Sequence, residues 1–181
     1  EKEGLLIKSI TTHGELNEQE QLNIEEAIKW IINTKFKKDK ILTEKFIKSL
    51  HKKMFGNVWS WAGKFRTSEK NIGVQWIRIG TDLRMLLDDT HYWIDNGTYP
   101  PEEIAIRFKH KLVTIHCFPN GNGRHSRIMA DLIIESIFGR KIFSWNQSNM
   151  VKADETRKEY IRSIKEGDKG DINPLIKFAR S

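Results

Sequence analysis

His116-Cys117-Phe118-Pro119-Asn120-Gly121-Asn122-Gly123-Arg124-His125-Ser126-Arg127 sets one imidazole, two glycines around an asparagine, and two arginines three residues apart. An apolar helical pattern runs up to this stretch and another leaves it. With Ile115-His116 at the end of one helix and Gly123-Arg124 at the start of the next, the backbone N–H groups near Gly121 to Arg124 lack intrahelical acceptors. They and the helix dipole favour an anion. Glycine at 121 and 123 opens backbone conformations closed to other residues and lets phosphate oxygens come close. Asn122 can offer its side-chain amide to a phosphoryl oxygen. Arg124 and Arg127 share a helix face, and planar guanidinium forks suit neighbouring phosphates. His116, with an ordinary pKa near neutrality, fits a general base for a hydroxyl.

Outward from this motif the chain reads as mainly α. Asn17-Glu18-Gln19-Glu20 resembles a capping box and predicts the start of a first helix striped by Leu22, Ala27, Ile28, Ile31 and Ile32. Thr43 caps a second helix carrying Phe46, Ile47, Leu50 and Met54, ended by Gly56. A third runs from Asp82 to Gly97. Pro100-Pro101 opens a fourth that delivers His116 at its end. A fifth runs from Gly123 towards Gly139, a sixth covers about 150–166, and a short one follows Asn173-Pro174. The densest basic run, Lys37-Lys38-Asp39-Lys40, reads as an inter-helix turn. Between Gly73 and Gly80 the β-prone Val74, Trp76, Ile77 and Ile79 predict a small hairpin.

With 181 residues the chain fits one domain with a sizeable core. Hydrophobic residues at 38% argue against disorder. A net charge of +7 favours anionic partners. The lysines are scattered, so a solvated surface is preferred over dedicated nucleic-acid binding. The single cysteine, Cys117, excludes an intrachain disulfide and fits a reducing, cytoplasmic compartment. No apolar run reaches the roughly 18 residues that span a bilayer, and no signal peptide is visible.

The signature resembles that of the Fic/Doc family, HxFx(D/E)GNGRxxR, with Asn120 where an acid is usual. Val58-Trp59-Ser60-Trp61-Ala62-Gly63-Lys64-Phe65-Arg66 is similar to the WAGxxR stretch before the family's flap. The Asn and the Thr-Thr-His-Gly-Glu-Leu-Asn segment resemble the subgroup called mobile mystery protein B. The resemblance covers roughly residues 40 to 165. It implies a Fic-type fold of about six to eight helices with one β-hairpin flap. Residues 1–35 would be an N-terminal segment bearing a candidate inhibitory helix, and 36–181 the Fic domain, together one compact unit.

It further implies a protein adenylyltransferase. His116 would deprotonate a Ser, Thr or Tyr hydroxyl of a target protein, which attacks the α-phosphate of ATP. Gly121, Asn122 and Gly123 would form the anion hole, Arg124 and Arg127 would hold the β- and γ-phosphates, Asn120 would contact Mg²⁺, and Phe118 would anchor the loop. The flap residues Ile72, Gly73, Val74, Gln75, Trp76 and Ile77 would dock the target by strand addition. Self-association is common in the family. A neutral Asn120 lowers the expected metal affinity.

Thr11-Thr12-His13-Gly14-Glu15 fits the first part of the family's inhibitory pattern (S/T)xxxE(G/N), with Leu16 replacing Gly or Asn. That reading pairs Glu15 with Arg127. The plainer one is a helix-entry turn with a first-turn acid. Two other activities stay open: transfer of another phosphoryl-containing group or removal of AMP with Glu15 positioning water, and non-catalytic binding of nucleotide or nucleic acid. His13, His51, His91 and His110 receive no role, and His110 and His116, six apart, do not make a zinc pair. Cys117 reads as packing. The tryptophans read as core or interface anchors, with Trp76 on the flap.

Overall fold

Thr12 and Thr43 start two helices by one device. The computed structural model describes residues 3–147 and 153–181. In it, Thr12 Oγ1 accepts the Glu15 N–H at 3.2 Å while Glu15 Oε2 accepts the Thr12 N–H at 3.0 Å. This capping box opens α1 (His13–Asn33), about one turn before the start expected at Asn17. Thr43 Oγ1 accepts the Phe46 N–H at 3.1 Å and opens α3 (Glu44–Phe55), which Gly56 ends as expected. Between them the basic run forms a single turn of helix, α2 (Lys38–Ile41).

Next come α4 (Ile79–Asn96), closed by Gly97 at φ 58°, and α5 (Pro101–Ile115), both close to their expected bounds. α6 (Asn122–Leu132) continues through a π turn, Ile133–Ile137, to Gly139. α7 (Ala153–Asp168) and α8 (Asn173–Arg180) complete the chain. The expected start of the sixth helix, near 150, lies outside the described residues.

α5 is the central helix, packed between α4 and α6 and touching α8, while α1 lies along α3. Its Ile104, Ala105, Ile106 and Phe108 are fully buried, joined in the core by Phe55, Leu83 and Phe118. Burying side chains of that size stabilises by roughly 1.5–3 kcal/mol each before entropy is counted. The N-terminal segment is tied to this body. Leu5 pairs with Trp59 in an isolated antiparallel bridge, and the Leu6 N–H donates to Val58 O at 2.8 Å.

The hairpin expected at 71–80 is not formed. Residues 71–75 are irregular, Trp76–Arg78 make a 3₁₀ turn, and Ile79 is already the buried first residue of α4. The physical reason lies in partners. Val74 donates its N–H to Ile115 O at 3.3 Å, and its own carbonyl oxygen accepts from Arg66 Nη2. Helix ends and a side chain take the places of a second strand, so β propensity is overridden by tertiary context.

After the π turn the chain runs back along α6 and is held by Asp131. Its Oδ1 accepts the Phe143 N–H at 3.1 Å and the Trp145 indole N–H at 3.2 Å. Trp145 and Asn146 both adopt left-handed backbone, φ 53° and 56°, which costs non-glycine residues free energy and needs surrounding support. Burial pushes the Asp131 carboxyl up to about 7 against the lowering effect of those donors. The folded state therefore holds this proton more tightly than the unfolded chain does. The resulting stabilisation is largest below pH ~4 and declines as pH rises towards 7. Asp131→Asn keeps an acceptor but cannot ionise. Urea unfolding should show its stability relative to wild type rising by roughly 2–4 kcal/mol between pH 4 and pH 8. A difference that stays flat across that range would mean the carboxylate is ionised in the fold.

Candidate active site

His116 sits at the C-terminal end of α5 in left-handed backbone, φ 57°, so the chain turns sharply out of the helix at the imidazole. Arg66 holds this bend. It is 3% exposed, and its Nε donates to His116 O at 2.6 Å while Nη2 reaches Ile115 O at 3.4 Å. Its own N–H donates to Cys117 O at 2.9 Å. Gly73 of the flap packs directly on the bend at φ 97°, where an added Cβ would lie 2.6 Å from His116 Cβ. Only glycine allows that approach.

The His116 ring is half-buried and makes no hydrogen bond among the described residues. Burial lowers its pKa below the usual histidine value, and the charges of Arg66 and Lys70 lower it further. The imidazole is thus neutral at physiological pH, with a free nitrogen to take a proton. Cys117 beside it is 1% exposed, and burial pushes its thiol up to about 12, which fits packing and excludes a ready nucleophile.

The loop from Phe118 to Gly121 is braced from inside. Phe118 is fully buried and stacks on His51, ring centroids 3.7 Å apart. The Gly63 N–H donates to His51 Nδ1 at 3.0 Å, so His51 Nε2 carries the proton that it donates to Asn120 O at 3.0 Å. Burial drops the His51 pKa to about 4, keeping it neutral. His51, given no role from sequence, is a loop strut.

Asn122 corrects another expectation. Its Nδ2 donates to Phe118 O at 2.8 Å and its Oδ1 accepts the Phe118 N–H at 2.9 Å, with the residue 6% exposed. The side-chain amide is committed to the loop rather than aimed at a ligand. Asn120 Oδ1 likewise accepts the Gly121 N–H at 2.7 Å. What remains for an anion is the start of α6. The N–H groups of Asn122, Gly123 and Arg124 have no acceptor among the described residues. Gly121, at φ 78°, presses against the Phe55 ring and must be glycine. Gly123 has helical backbone, and a Cβ there would meet nothing within 4 Å. Its freedom is space for a ligand, not unusual backbone.

Arg124 and Arg127 do share a face, but they are held differently. Arg124 Nη1 donates to Glu20 Oε2 at 2.6 Å, and its guanidinium lies 4.8 Å from the Phe55 ring centroid. Glu20 is 4% exposed and also accepts the Trp59 indole N–H at 2.7 Å. Arg127 has no ion pair among the described residues, and its buried Nε has no hydrogen-bond partner. Glu15 does not approach it. Its Oε2 accepts from the N–H groups of Thr11 and Thr12 and from Thr11 Oγ1, in exposed surroundings. Those donors, the Thr11 N–H first, lower its pKa. The plain helix-entry reading of Glu15 therefore holds, and the Glu15–Arg127 pair is not made. The acid that does reach the motif is Glu20. Glu20 lies on the face of α1 that is buried, with Asn23, Ile24 and Ala27, whereas Leu22, Ile28 and Ile32 of the expected apolar stripe are exposed, so the sequence pattern points to the wrong face.

His116, Asn120, Gly121, Asn122, Gly123, Arg124 and Arg127 line one cleft of about 1180 Å³, with Ile72 and Gly73 at one rim and Trp145, Arg157 and Tyr160 among its further walls. The distal walls come from sequence segments that carried no motif. Among the described residues no cluster of three or more His, Cys, Asp or Glu side chains could hold a metal ion. No helix among them is long and apolar enough to cross a membrane.

Known proteins resemble this arrangement. The family model described as "Fic/DOC family" matches residues 41–134. A protein adenylyltransferase Fic from Aedes aegypti is 27% identical across 94% of this chain and 32% of its own length. One from Nematostella vectensis is 27% identical across 94% and 38%. The chain thus spans about a third of the length of these relatives. Among solved structures, Fic-1 (aa134 - 508) from C. elegans superposes with a TM-score of 0.74 at 24% identity, covering 97% of this chain and 50% of that one. BepC from Bartonella tribocorum with bound AMPPNP gives 0.72 at 16% identity, covering 99% and 95%. A base at a helix end, facing an unsatisfied helix N-terminus and two arginines, together with a family match over half its length, shows that this chain belongs to the Fic/DOC family.

Proposed function

We propose that the chain is a protein adenylyltransferase that moves AMP from ATP to a hydroxyl side chain of a target protein. The observation that carries this reading is a neutral, unpartnered His116 ring in the same cleft as the free N–H groups of α6 and Arg127. The relatives named protein adenylyltransferase and the BepC structure with AMPPNP support it. In the reaction, His116 takes the hydroxyl proton as the hydroxyl oxygen attacks the α-phosphorus. The bond from that phosphorus to the bridging oxygen breaks, and pyrophosphate leaves with the electron pair. The N–H groups of Asn122, Gly123 and Arg124 meet phosphate charge where water is displaced, and fixed dipoles cost no reorganisation there. Arg124 and Arg127 meet the β- and γ-phosphates.

The flap, though not a hairpin, keeps an exposed edge. Ile72 and Ile77 are well exposed and Trp76 partly so, beside a segment anchored by Val74. We assign target docking to this edge, with backbone pairing along 71–75. Residues 1–35 and 36–181 act as one unit in this reading, since α1 supplies the carboxylate that meets Arg124. A reducing compartment suits the lone buried thiol.

Magnesium enters only as a companion of the triphosphate. The chain offers Asn120 Oδ1, already accepting from Gly121, and no carboxylate at the loop. That donor set does not fit a resident Mg²⁺ site, and no step is assigned to the metal. Removal of AMP by a water held on Glu15 has no geometric support, since Glu15 lies in its own cap.

Intact mass measurement after incubation with ATP and a candidate target tests the main reading. An added AMP that disappears in His116→Ala is expected, and an adduct that persists in that variant would end it. The pH profile of kcat/KM supplies a second check. Because the His116 pKa is lowered in the fold, the base stays neutral below pH 6.5, and the acid limb should fall below that value. Lys70→Gln, on the exposed surface, should move the limb upward. A limb above 6.5 would contradict the charge assignment.

A third prediction separates the two acids of α1. Glu20→Gln keeps an acceptor for Trp59 but removes the negative charge on Arg124, so ATP should bind roughly two- to tenfold more tightly. Glu15→Gly should leave ATP affinity unchanged while weakening the helix start. Calorimetric titration of both variants decides this, and equal effects would undo the distinction.

A further inference from the structure

Lys109 lies on α5, two turns before His116, with its side chain fully buried. No carboxylate meets it among the described residues. Its Nζ instead hydrogen-bonds the Tyr160 hydroxyl of α7 and lies 4.5 Å from that ring's centroid. Burial, then the charge of Arg127, lowers its pKa well below the lysine range. A flexible amine buried without a counter-ion is expensive, so its persistence calls for a structural return.

Tyr160 is where that return is visible. Its ring packs on Phe178 with centroids 5.4 Å apart, and it lines the same cleft as His116 and Arg127. The Arg127 guanidinium lies 4.4 Å from the Tyr160 centroid. Both signature arginines lie against an aromatic ring, Arg124 on Phe55 and Arg127 on Tyr160, but only Arg124 also meets a carboxylate among the described residues. Arg124 is steadied by a carboxylate, which cancels part of its field. Arg127 is steadied by a π face, which orients the guanidinium and leaves its charge uncancelled. Lys109 does not line the cleft. It holds the ring through the hydroxyl.

We propose that Lys109 and Tyr160 are positioning residues that hold Arg127 as a pre-aimed, uncompensated cation for the terminal phosphate, so that this chain selects a nucleoside triphosphate over a diphosphate. The identity of the ligand rests on the adenylyltransferase reading. The manner in which Arg127 is held does not.

Titration of the full chain with ATP and with ADP, alongside steady-state kinetics of AMP transfer, tests the proposal. Wild type should favour ATP. Tyr160→Leu should weaken ATP roughly tenfold while leaving ADP within about twofold. It should add nothing in an Arg127→Ala background, because both changes remove one unit. Tyr160→Phe and Lys109→Met keep the packed volume and cut the same hydrogen bond. They should match one another, with a smaller loss of roughly threefold on ATP alone. These two carry the test if Tyr160→Leu melts early. Equal weakening of ATP and ADP, or full additivity with Arg127→Ala, would overturn the positioning role while AMP transfer by wild type still stood. Wild type that binds no ATP would overturn the functional reading and this inference together.

Discussion

The Arg66 guanidinium, buried beneath the flap, donates to the carbonyl oxygens of Val74, Ile115 and His116. Its Nη1 adds Ser68 O at 3.0 Å. A helix that ends inside a protein leaves carbonyls in need of donors, and α5 ends inside one. Arginine is the side chain that can satisfy several at once, having five N–H groups in a fixed fork. By doing so it holds His116 in left-handed backbone, with Gly73 packed against the His116 Cβ, and ties the flap to the end of α5. The same positive charge adds to the effect of burial in lowering the His116 pKa. One buried cation thus sets the local geometry and contributes, after burial, to the protonation state of His116.

Much of the helical frame was legible from local chemistry. Thr43 as a cap, Gly56 and Gly97 as stops, and Pro101 in a first turn each act within a few residues of themselves. The flap failed for the complementary reason. Val74 and Trp76 are β-prone, yet their backbone partners come from Ile115, Arg66 and Glu69, not from a neighbouring strand. The first helix began one turn early because two overlapping capping patterns, at Thr12 and at Asn17, compete in sequence. Only Thr12 has the acid three residues on that reaches back to its own N–H.

The site shows the same division. His116, Gly121, Gly123, Arg124 and Arg127 converge on one cleft, as their spacing implies. The Asn122 side chain binds Phe118 and not a ligand, a choice the sequence leaves open because an amide serves a loop and a phosphate equally well. Its burial, visible only in three dimensions, decides for the loop. Glu20 and Tyr160 act across 104 and 33 residues of sequence, through helices whose packing no motif records. The apolar stripe read on α1 points away from Glu20, because Leu22, Ile28 and Ile32 face outward; only the folded helix shows a carboxylate on the buried face, where it needs a cation to meet it.

Asn120 is the residue where loop stability and metal chemistry diverge. Its amide oxygen accepts the Gly121 N–H, while its backbone oxygen accepts from His51, so the residue closes the loop on itself at both oxygens. A carboxylate at this position could make the same local bond and still present a second, charged oxygen to a cation. The amide has only the one oxygen, and its nitrogen repels metal. In the proposed reaction the positive charge available to the phosphates in this cleft comes from the start of α6, from Arg127 and from Arg157 on the far wall, with Arg124 partly neutralised by Glu20. On that reading phosphate recognition rests on fixed protein cations and backbone dipoles. The selectivity of the site then rests on how those cations are held: an aromatic ring lies against each signature arginine, but a carboxylate meets only Arg124 of the two among the described residues.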